Sequence, residues 1–501
     1  MQDLTPKSFY KRNPMKLAFV HIGVESLALE IFSSILSKEF PQVEQKLFFH
    51  YDYYANPAEE KKSNRIRHQL VQKIKQYRPD ICCFSVYTDS FNILGKIAKD
   101  IKMIFPATVN VFGGIHATLL KSELLEENKY IDIVAIGEAE ATFKELIEEF
   151  IKGTQRWSKI NGIAYRDGER VVSNPLRLDL SPLDHIPFPN KDLFINHLPS
   201  VYLSYYVQTG RGCPHNCTYC ASPYLKAIYG SQAYFRRRST QNIIDELEFV
   251  KNQTKQIIFV DDVFLHSTEF LKEFLPIYHK KIGLPFFCQT SPVLCNEERL
   301  DLLKMAGCHR IWLGIQSGSE MIRHNVFKRK GSNKDIVKAT NLIRSKGIKF
   351  CVDIILGTPY ETIDDIQKTL SLLCEIQPDL VQVFYLSYYP GLEITEMALR
   401  DGYISEKEYK MIKSGIFDKS YSVGSHLTGK ALKDARRAGL MCHLVTILPK
   451  RLCSFLIKKR LYSIFLSGFI WHLISYALTA LHDRVRLYLI WGAIQAKFRK
   501  T

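Results

Sequence analysis

Twice along its 501 residues this chain alternates short apolar runs with amphipathic stretches, and a proline-rich segment separates the two series. In the first, residues 16–23, 43–51, 81–87, 108–112 and 132–136 read as strands, with helices over 26–40, 66–77 and 91–105. In the second, the strands are 203–207, 257–260, 286–289, 310–314, 351–356 and 381–384. Helices over 243–252, 268–281, 297–306, 333–346 and 363–376 lie between them. Alternation of this kind predicts α/β folding with parallel strands that bind ligands at their carboxyl ends. Six strand–helix units are too few for a closed eight-stranded barrel. Between the series, 160–165 and 171–173 predict a hairpin turning at Asp167-Gly168, and Ser181 to Pro189, with three prolines, reads as a linker.

The chemistry concentrates where the second series begins. After its first strand comes Thr209-Gly210-Arg211-Gly212-Cys213-Pro214-His215-Asn216-Cys217-Thr218-Tyr219-Cys220, a C-x3-C-x2-C loop led by glycines. Three thiolates from one loop can hold three irons of a cubane iron–sulfur cluster, leaving the fourth open to a small molecule. A zinc knuckle or three unrelated core cysteines are the alternatives. Structural zinc takes four ligands, and His215 lies too close between its neighbours to be an easy fourth. Other strand ends carry polar groups: Asp261 and Asp262 after the second strand, Gln289 on the third, Gln316 and Ser317 on the fourth, Gly357 and Pro359 after the fifth. In the first series the corresponding positions are Ser85, Tyr87 and Thr88, then Gly113, Gly114 and His116, then Gly137 and Glu138. Glycines there allow a ligand to approach the backbone closely, and the hydroxyls supply donors.

The formal charge of +17 is unevenly placed: residues 400–501 hold 19 Lys/Arg against 6 Asp/Glu, so the body is nearly balanced. That argues against a nucleic-acid groove across the catalytic part, and no nucleic-acid partner is expected. Residues 461–481 are apolar, with His472 and several hydroxyls inside and basic residues at both ends. Such a run suits a helix in the interface of an anionic membrane, with a packed lid or a span as alternatives. The 12 irregularly spread cysteines and the polar start suggest a reducing cytoplasm, with the inner membrane face as a further possibility.

The cysteine loop, with Tyr219 before its last cysteine, resembles the cluster motif of the radical S-adenosylmethionine enzymes. Leu313-Gly-Ile-Gln-Ser-Gly-Ser319 resembles that family's G-[IV]-[EQ]-S-G-S element, and Gly357-Thr-Pro-Tyr-Glu-Thr362 its G-x-P-G-E-T element, with Tyr360 where glycine is usual. Asp261-Asp262-Val263-Phe264 is similar to a D-D-x-F element of the cobalamin-dependent group, and Tyr388-Tyr-Pro-Gly391 to the segment that closes the domain. Gly113-Gly-Ile-His-Ala-Thr118 and Gly137-Glu-Ala-Glu140 resemble the turns of a cobalamin-binding domain, but the usual cobalt-ligating Asp-x-His-x-x-Gly motif is missing after Gly23.

The resemblance spans roughly residues 15–395 and is to the group holding anaerobic magnesium-protoporphyrin cyclases and hopanoid methylases. It implies a doubly wound, Rossmann-like cobalamin-binding domain over 15–152 and a hairpin and linker over 153–200. A partial (β/α)6 radical SAM barrel over 201–395 and a basic apolar helical tail over 396–501 complete it. The implied cofactors are a [4Fe-4S] cluster on Cys213, Cys217 and Cys220, S-adenosylmethionine and cobalamin. Ser85, Tyr87, Thr88, Gly113, Gly114, His116, Gly137 and Glu138 are the implied corrin contacts. Tyr219, Asp261, Asp262, Gln289, Gln316, Ser317, Gly357 and Pro359 are the implied contacts of cluster and S-adenosylmethionine. The implied activity is methylation of an unactivated carbon of a lipid-like or secondary-metabolite substrate by way of a 5′-deoxyadenosyl radical, fed by a donor such as flavodoxin or ferredoxin. Radical cyclisation or rearrangement without methyl transfer, and a non-catalytic cobalamin or redox sensor, are the rival readings.

Overall fold

A computed structural model describes residues 14–51, 60–416 and 429–464. The described residues form two compact units. One comprises those up to His197 together with Tyr389–Gly391 and 405–416, the other Leu198–Tyr388, Leu392–Ile404 and 429–464.

The first unit is built on β1 (Met15–Gly23), β2 (Val43–Tyr51), β3 (Ile81–Ser85), β4 (Val109–Gly113), β5 (Ile133–Ala135), β6 (Ile163–Asp167) and β7 (Arg170–Ser173). Their spatial order is β2-β1-β3-β4-β5-β6-β7. The first five pair in parallel, and the hairpin β6–β7 extends the edge antiparallel. These strands read as apolar runs because helices cover both faces: Leu17 to Val20 and Ile81 to Phe84 are buried throughout. The third strand stops at Ser85, short of the predicted 87. Ser90 Oγ accepts from the Tyr87 amide and so starts the helix Thr88–Ile104.

Lys191, behind the proline-rich segment, is buried between Glu25 and Glu30, to both of which its ammonium donates. One ammonium between two carboxylates leaves an excess negative charge, and burial drives Glu30 well above the usual carboxylate range. Lys191→Met would strand both carboxylates. It is expected to cost about 3–5 kcal/mol, read as a lower urea midpoint, whereas an unchanged midpoint would show that the triad is not a clamp.

The second unit opens with β8 (Ser204–Val207), followed by a two-stranded ribbon, β9 (Gly210–Arg211) and β10 (Arg236–Arg237), whose strands bracket the cysteine loop. Then come β11 (Gln256–Phe259), β12 (Phe286–Thr290), β13 (Cys308–Gln316), β14 (Lys349–Leu356) and β15 (Leu380–Tyr385). With β8 they form a six-stranded parallel sheet in the order β15-β14-β13-β12-β11-β8. Alternate residues such as Phe259, Cys288, Leu313 and Val352 pack against the outer helices. Their neighbours Tyr206, Gln289, Trp312 and Asp353 fall on the opposite face of the sheet and are only part-buried. Capping boxes at Ser332/Asp335 and Thr362/Asp365 start the helices Asn333–Ser345 and Ile363–Ile376.

Among the described residues no helix is long and apolar enough to cross a membrane. Of the apolar run 461–481, only Leu461–Ile464 is described, as a short 3-10 turn, and the rest lies outside the described residues.

Candidate functional site

The cysteine loop runs from β9 to the helix Ser222–Tyr229. Gly212 holds a φ of 103°, and a Cβ there would sit 2.6 Å from the Tyr234 carbonyl oxygen, so only glycine fits. Thr218 ties the loop to the segment after β13: its amide donates to Phe327 O at 3.3 Å and its hydroxyl to Val326 O at 2.6 Å. Tyr219 lies edge-on to Phe327, ring centroids 4.9 Å apart. None of the three cysteines is in a disulfide. Cys217 is buried, Cys213 and Cys220 part-exposed. Burial pushes the Cys213 thiol up to about 12 and raises Cys220 as well, against the Ser222 amide donating to its sulfur at 3.4 Å. Coordination to a metal deprotonates such thiols outright. Among the described residues no three His, Cys, Asp or Glu side chains gather tightly enough for a single metal ion. The three thiols could instead each take a separate corner of a cubane cluster.

The two adjacent aspartates have opposite fates. Asp261 is 2% exposed, and its oxygens accept from the Thr209 amide at 3.2 Å and hydroxyl at 2.7 Å. Arg237 faces it at 3.9 Å, donates to the same hydroxyl at 2.7 Å and stacks on Phe270. Asp261 therefore anchors the loop entrance: of the two roles the sequence leaves open to it, receiving the amino group of S-adenosylmethionine or ordering the site, its contacts fit the second. Asp262 is exposed and lies within electrostatic reach of Cys213 and Cys220. Within the Arg236-Arg237-Arg238 run, Arg238 is committed to Glu246 and Asn242. Within the loop, Asn216 Oδ1 accepts from Lys226 at 3.1 Å, and His215 Nε2 is buried without a partner.

At the end of β13, Gln316 is held at a φ of 71° beside an irregularity in the β13–β14 register, and its Oε1 is buried with no partner. Thr290 at the end of β12 and Thr358 after β14 also keep buried hydroxyls without partners. Two of these, at Gln316 and Thr358 on successive strand ends, fit a polar ligand such as S-adenosylmethionine, since such groups are otherwise costly, whereas Thr290 shares the helix-packed face of β12 with Cys288. Ser317 does not join them, because its hydroxyl pairs with Thr369 at 3.2 Å and accepts from the Ser319 amide. Gln289 remains part-exposed at the end of β12.

The loop after β14 turns at Gly357, φ 72°, and Pro359 is buried within it. Tyr360 stands in the left-handed region that glycine would occupy, φ 65°, held by Tyr403 edge-on at 4.9 Å and by its hydroxyl on Asp401. That conformation costs about 1–2 kcal/mol for a non-glycine residue. Glu361, part of the G-x-P-G-E-T-like element but given no role there, accepts from the Gly357 amide at 2.7 Å. Burial lifts its carboxyl to about 8, against the Gly357 and Thr358 amides. From the ordinary carboxylate range up to about 8, the folded chain keeps a proton that the unfolded chain has released. Stability is thus expected to fall as pH rises through that window. Glu361→Gln should remove this dependence, read as urea midpoints at about pH 5 and about pH 8.5, and equal slopes for both proteins would contradict it.

In the first unit the glycine turns and Tyr87 lie at the carboxyl ends of β3 to β5. Tyr87 is half exposed, and Gly113 offers open backbone, with Ala135 Cβ at 3.8 Å as the nearest neighbour of an added Cβ. Gly114, φ 97°, packs so tightly that a Cβ would meet Val86 O at 2.8 Å. Gly137 donates its amide to Thr118 Oγ1 at 2.9 Å, with Glu138 part-exposed beside it. A strand-end rim with open backbone at Gly113, flanked by the part-exposed Ser85 and Glu138 and the half-exposed Tyr87, fits a broad flat ligand such as a corrin. Thr88 and His116 do not line it. Both are wholly buried, with Thr88 Oγ1 and His116 Nδ1 3.0 Å apart and the imidazole against Phe91 at 4.5 Å. Burial drops that imidazole to about 3, so it stays neutral.

A parallel sheet of βα units that opens on a three-cysteine loop, preceded by a doubly wound unit with glycine turns at its strand ends, offers two sets of carboxyl-end sites for ligands. The pattern of the radical SAM superfamily matches residues 207–373, and that of the B12 binding domain residues 42–147. The chain is 28% identical over 336 residues to an uncharacterized methyltransferase of Pyrococcus horikoshii, covering 66% of this chain and 72% of that one. It is 26% identical over 331 residues to the anaerobic magnesium-protoporphyrin IX monomethyl ester cyclase of Cereibacter sphaeroides, over 62% of this chain but only 52% of the cyclase. The fold is shared with the cobalamin-dependent S-adenosylmethionine radical enzyme OxsB, at a TM-score of 0.64 and 14% identity over 97% of this chain and 81% of that one. The chain belongs to the radical SAM enzymes that carry a B12-binding domain, a group that includes cobalamin-dependent methyltransferases. Its cofactors are a [4Fe-4S] cluster, S-adenosylmethionine and cobalamin, and its reaction needs a reductant and a small-molecule substrate.

Proposed function

We propose that this enzyme methylates an unactivated carbon of a lipid-like or secondary-metabolite substrate, with Cys213, Cys217 and Cys220 as the ligands of its cluster. When bound, the cluster with S-adenosylmethionine supplies a carbon-centred radical oxidant, and cobalamin supplies a transferable methyl group. The observation that carries this reading is the pairing, in one chain, of the three-cysteine loop with a glycine rim fit for a corrin. Asp261 and Thr209 fix the loop entrance, and Thr218 fixes its far side on Val326 and Phe327. Asp262, Gln289, Gln316 and Gly357, on the strand ends, would orient S-adenosylmethionine, with Pro359 stiffening the turn and Tyr219 screening Cys217 from solvent. Ser85, Tyr87, Gly113, Gly114, Gly137 and Glu138 would seat the corrin.

Radical cyclisation without methyl transfer is the second reading, favoured by the identity to the cyclase. The two separate when enzyme loaded with hydroxocobalamin is reduced and given methyl-deuterated S-adenosylmethionine. Deuterated methyl on the bound cobalamin supports methylation, and 5′-deoxyadenosine without methylcobalamin supports cyclisation.

A flavodoxin or ferredoxin is the reductant this reading calls for, and a peripheral site on the inner face of the membrane is its setting. The helix Lys450–Lys458 supports that setting: it exposes Leu452 and Phe455, buries Cys453 and Ile457, and lies in a strongly basic stretch.

A further inference from the structure

Arg329 has no role in any motif of the sequence, yet its guanidinium is largely buried next to the cysteine loop. Nη1 lies 3.5 Å from Cys217 Sγ and 3.2 Å from the Tyr219 hydroxyl, and Nη2 donates to Gly314 O at 2.6 Å. Among the described residues no carboxylate forms an ion pair with it: Asp353 is within electrostatic reach, but its carboxyl accepts from Trp312 at 2.5 Å, and a desolvated guanidinium without a directly bonded anion is costly. The surrounding structure is shaped to keep it there. The chain leaves β13, makes a turn of π-helix over Ile322–Val326, and returns with Lys328 in the left-handed region, φ 52°, which carries Arg329 back beneath Gly314. A Cβ on Gly314 would sit 2.9 Å from Nη2, so the glycine makes room for the arginine. Arg323, 2% exposed, braces the same turn by donating to Ser317 O at 2.6 Å and Asn333 Oδ1 at 2.7 Å.

The anion placed to bond it directly is the thiolate that Cys217 becomes on binding iron, whose sulfur lies 3.5 Å from Nη1. We propose that Arg329 is a positioning and tuning residue for the cluster: by donating a charge-assisted hydrogen bond to the Cys217 sulfur it makes one-electron reduction of the cluster more favourable. The electron added on reduction, supplied by a one-electron donor, makes the cluster more negative. A fixed cation and an N–H···S bond stabilise that state most, and hydrogen bonds to the sulfurs and local charge are among the determinants of cluster potential. The inference rests on the proposed ligand role of Cys217.

The test is the midpoint potential of the reconstituted full-length protein, followed by its EPR signal under graded reduction, for the wild type, Arg329→Lys and Arg329→Gln. Arg329→Gln is expected to lower the reduction equilibrium constant about tenfold, a shift of about 59 mV to more negative potential for a one-electron couple. Arg329→Lys, which keeps the charge but loses the fork, should fall between. Three coincident potentials overturn the proposal, including when S-adenosylmethionine binding is lost, which would assign the arginine to a carboxylate of that ligand instead. If the Gln variant takes up less iron, Lys against wild type decides, and an unchanged potential overturns the proposal. Absence of an iron–sulfur signal in the wild type would refute the ligand assignment and Arg329's role with it, whereas a normal wild-type cluster with coincident variants refutes only the latter.

Discussion

Cys217→Ala is expected to abolish cluster assembly and with it all reductive cleavage of S-adenosylmethionine, while leaving the fold intact. Three cysteines are the fewest that can hold three corners of a cubane, so the loop has no spare thiol: no other cysteine lies on it. The folding cost is small, about 1 kcal/mol for one buried thiol, because Thr218 and Tyr219 keep their contacts with residues 326–329. Iron counts and 5′-deoxyadenosine yield read the first effect, and circular dichroism with a urea midpoint reads the second. Full activity in this variant would remove the loop from the mechanism.

The neighbouring aspartates should separate just as sharply. Asp261→Ala removes the acceptor of both Thr209 donors and leaves Arg237 facing an apolar gap. Breaking a buried pair from one side costs about 3–5 kcal/mol. The lower end applies here, since the Arg237 side chain keeps 21% of its exposure and its stacking on Phe270. Loss of the anchor should also lower iron uptake, because Thr209 and Gly210 lead directly into Gly212 and Cys213. Asp262→Ala, at an exposed carboxylate, should leave the urea midpoint and iron count unchanged and weaken S-adenosylmethionine binding. Equal midpoints for the two variants would contradict the distinction.

The sequence was legible where the determinants are local. Buried parallel strands announce themselves as apolar runs, as at Ile81–Ser85, and the capping boxes at Ser332 and Thr362 mark helix starts within a residue. The cysteine loop was legible for the same reason, since its spacing is its chemistry. Roles that depend on what faces a side chain were not. Asp261 and Asp262 are identical as residues, and only the approach of Thr209 makes one of them an anchor. Thr88 and His116, read as cofactor contacts, pair with each other inside the unit because the helix at Thr88 starts early and turns the hydroxyl inward. Arg329 belongs to no motif of the sequence, and nothing local reveals the π-turn that carries it to Cys217. Tyr360 shows the converse: a residue that breaks the expected glycine pattern still takes the glycine's backbone conformation, supported by Tyr403 and Asp401.

The central claim is that one chain holds a radical-generating cluster and a corrin together. It is tested most directly by reconstituting the protein anaerobically with iron, sulfide and hydroxocobalamin, desalting it, and counting metals per chain. About four irons and about one cobalt are expected, and Cys217→Ala should lose the iron but keep the cobalt. Iron without cobalt would contradict the account: the first unit would then be a corrin fold put to another use, and methyl transfer would give way to radical oxidation or rearrangement.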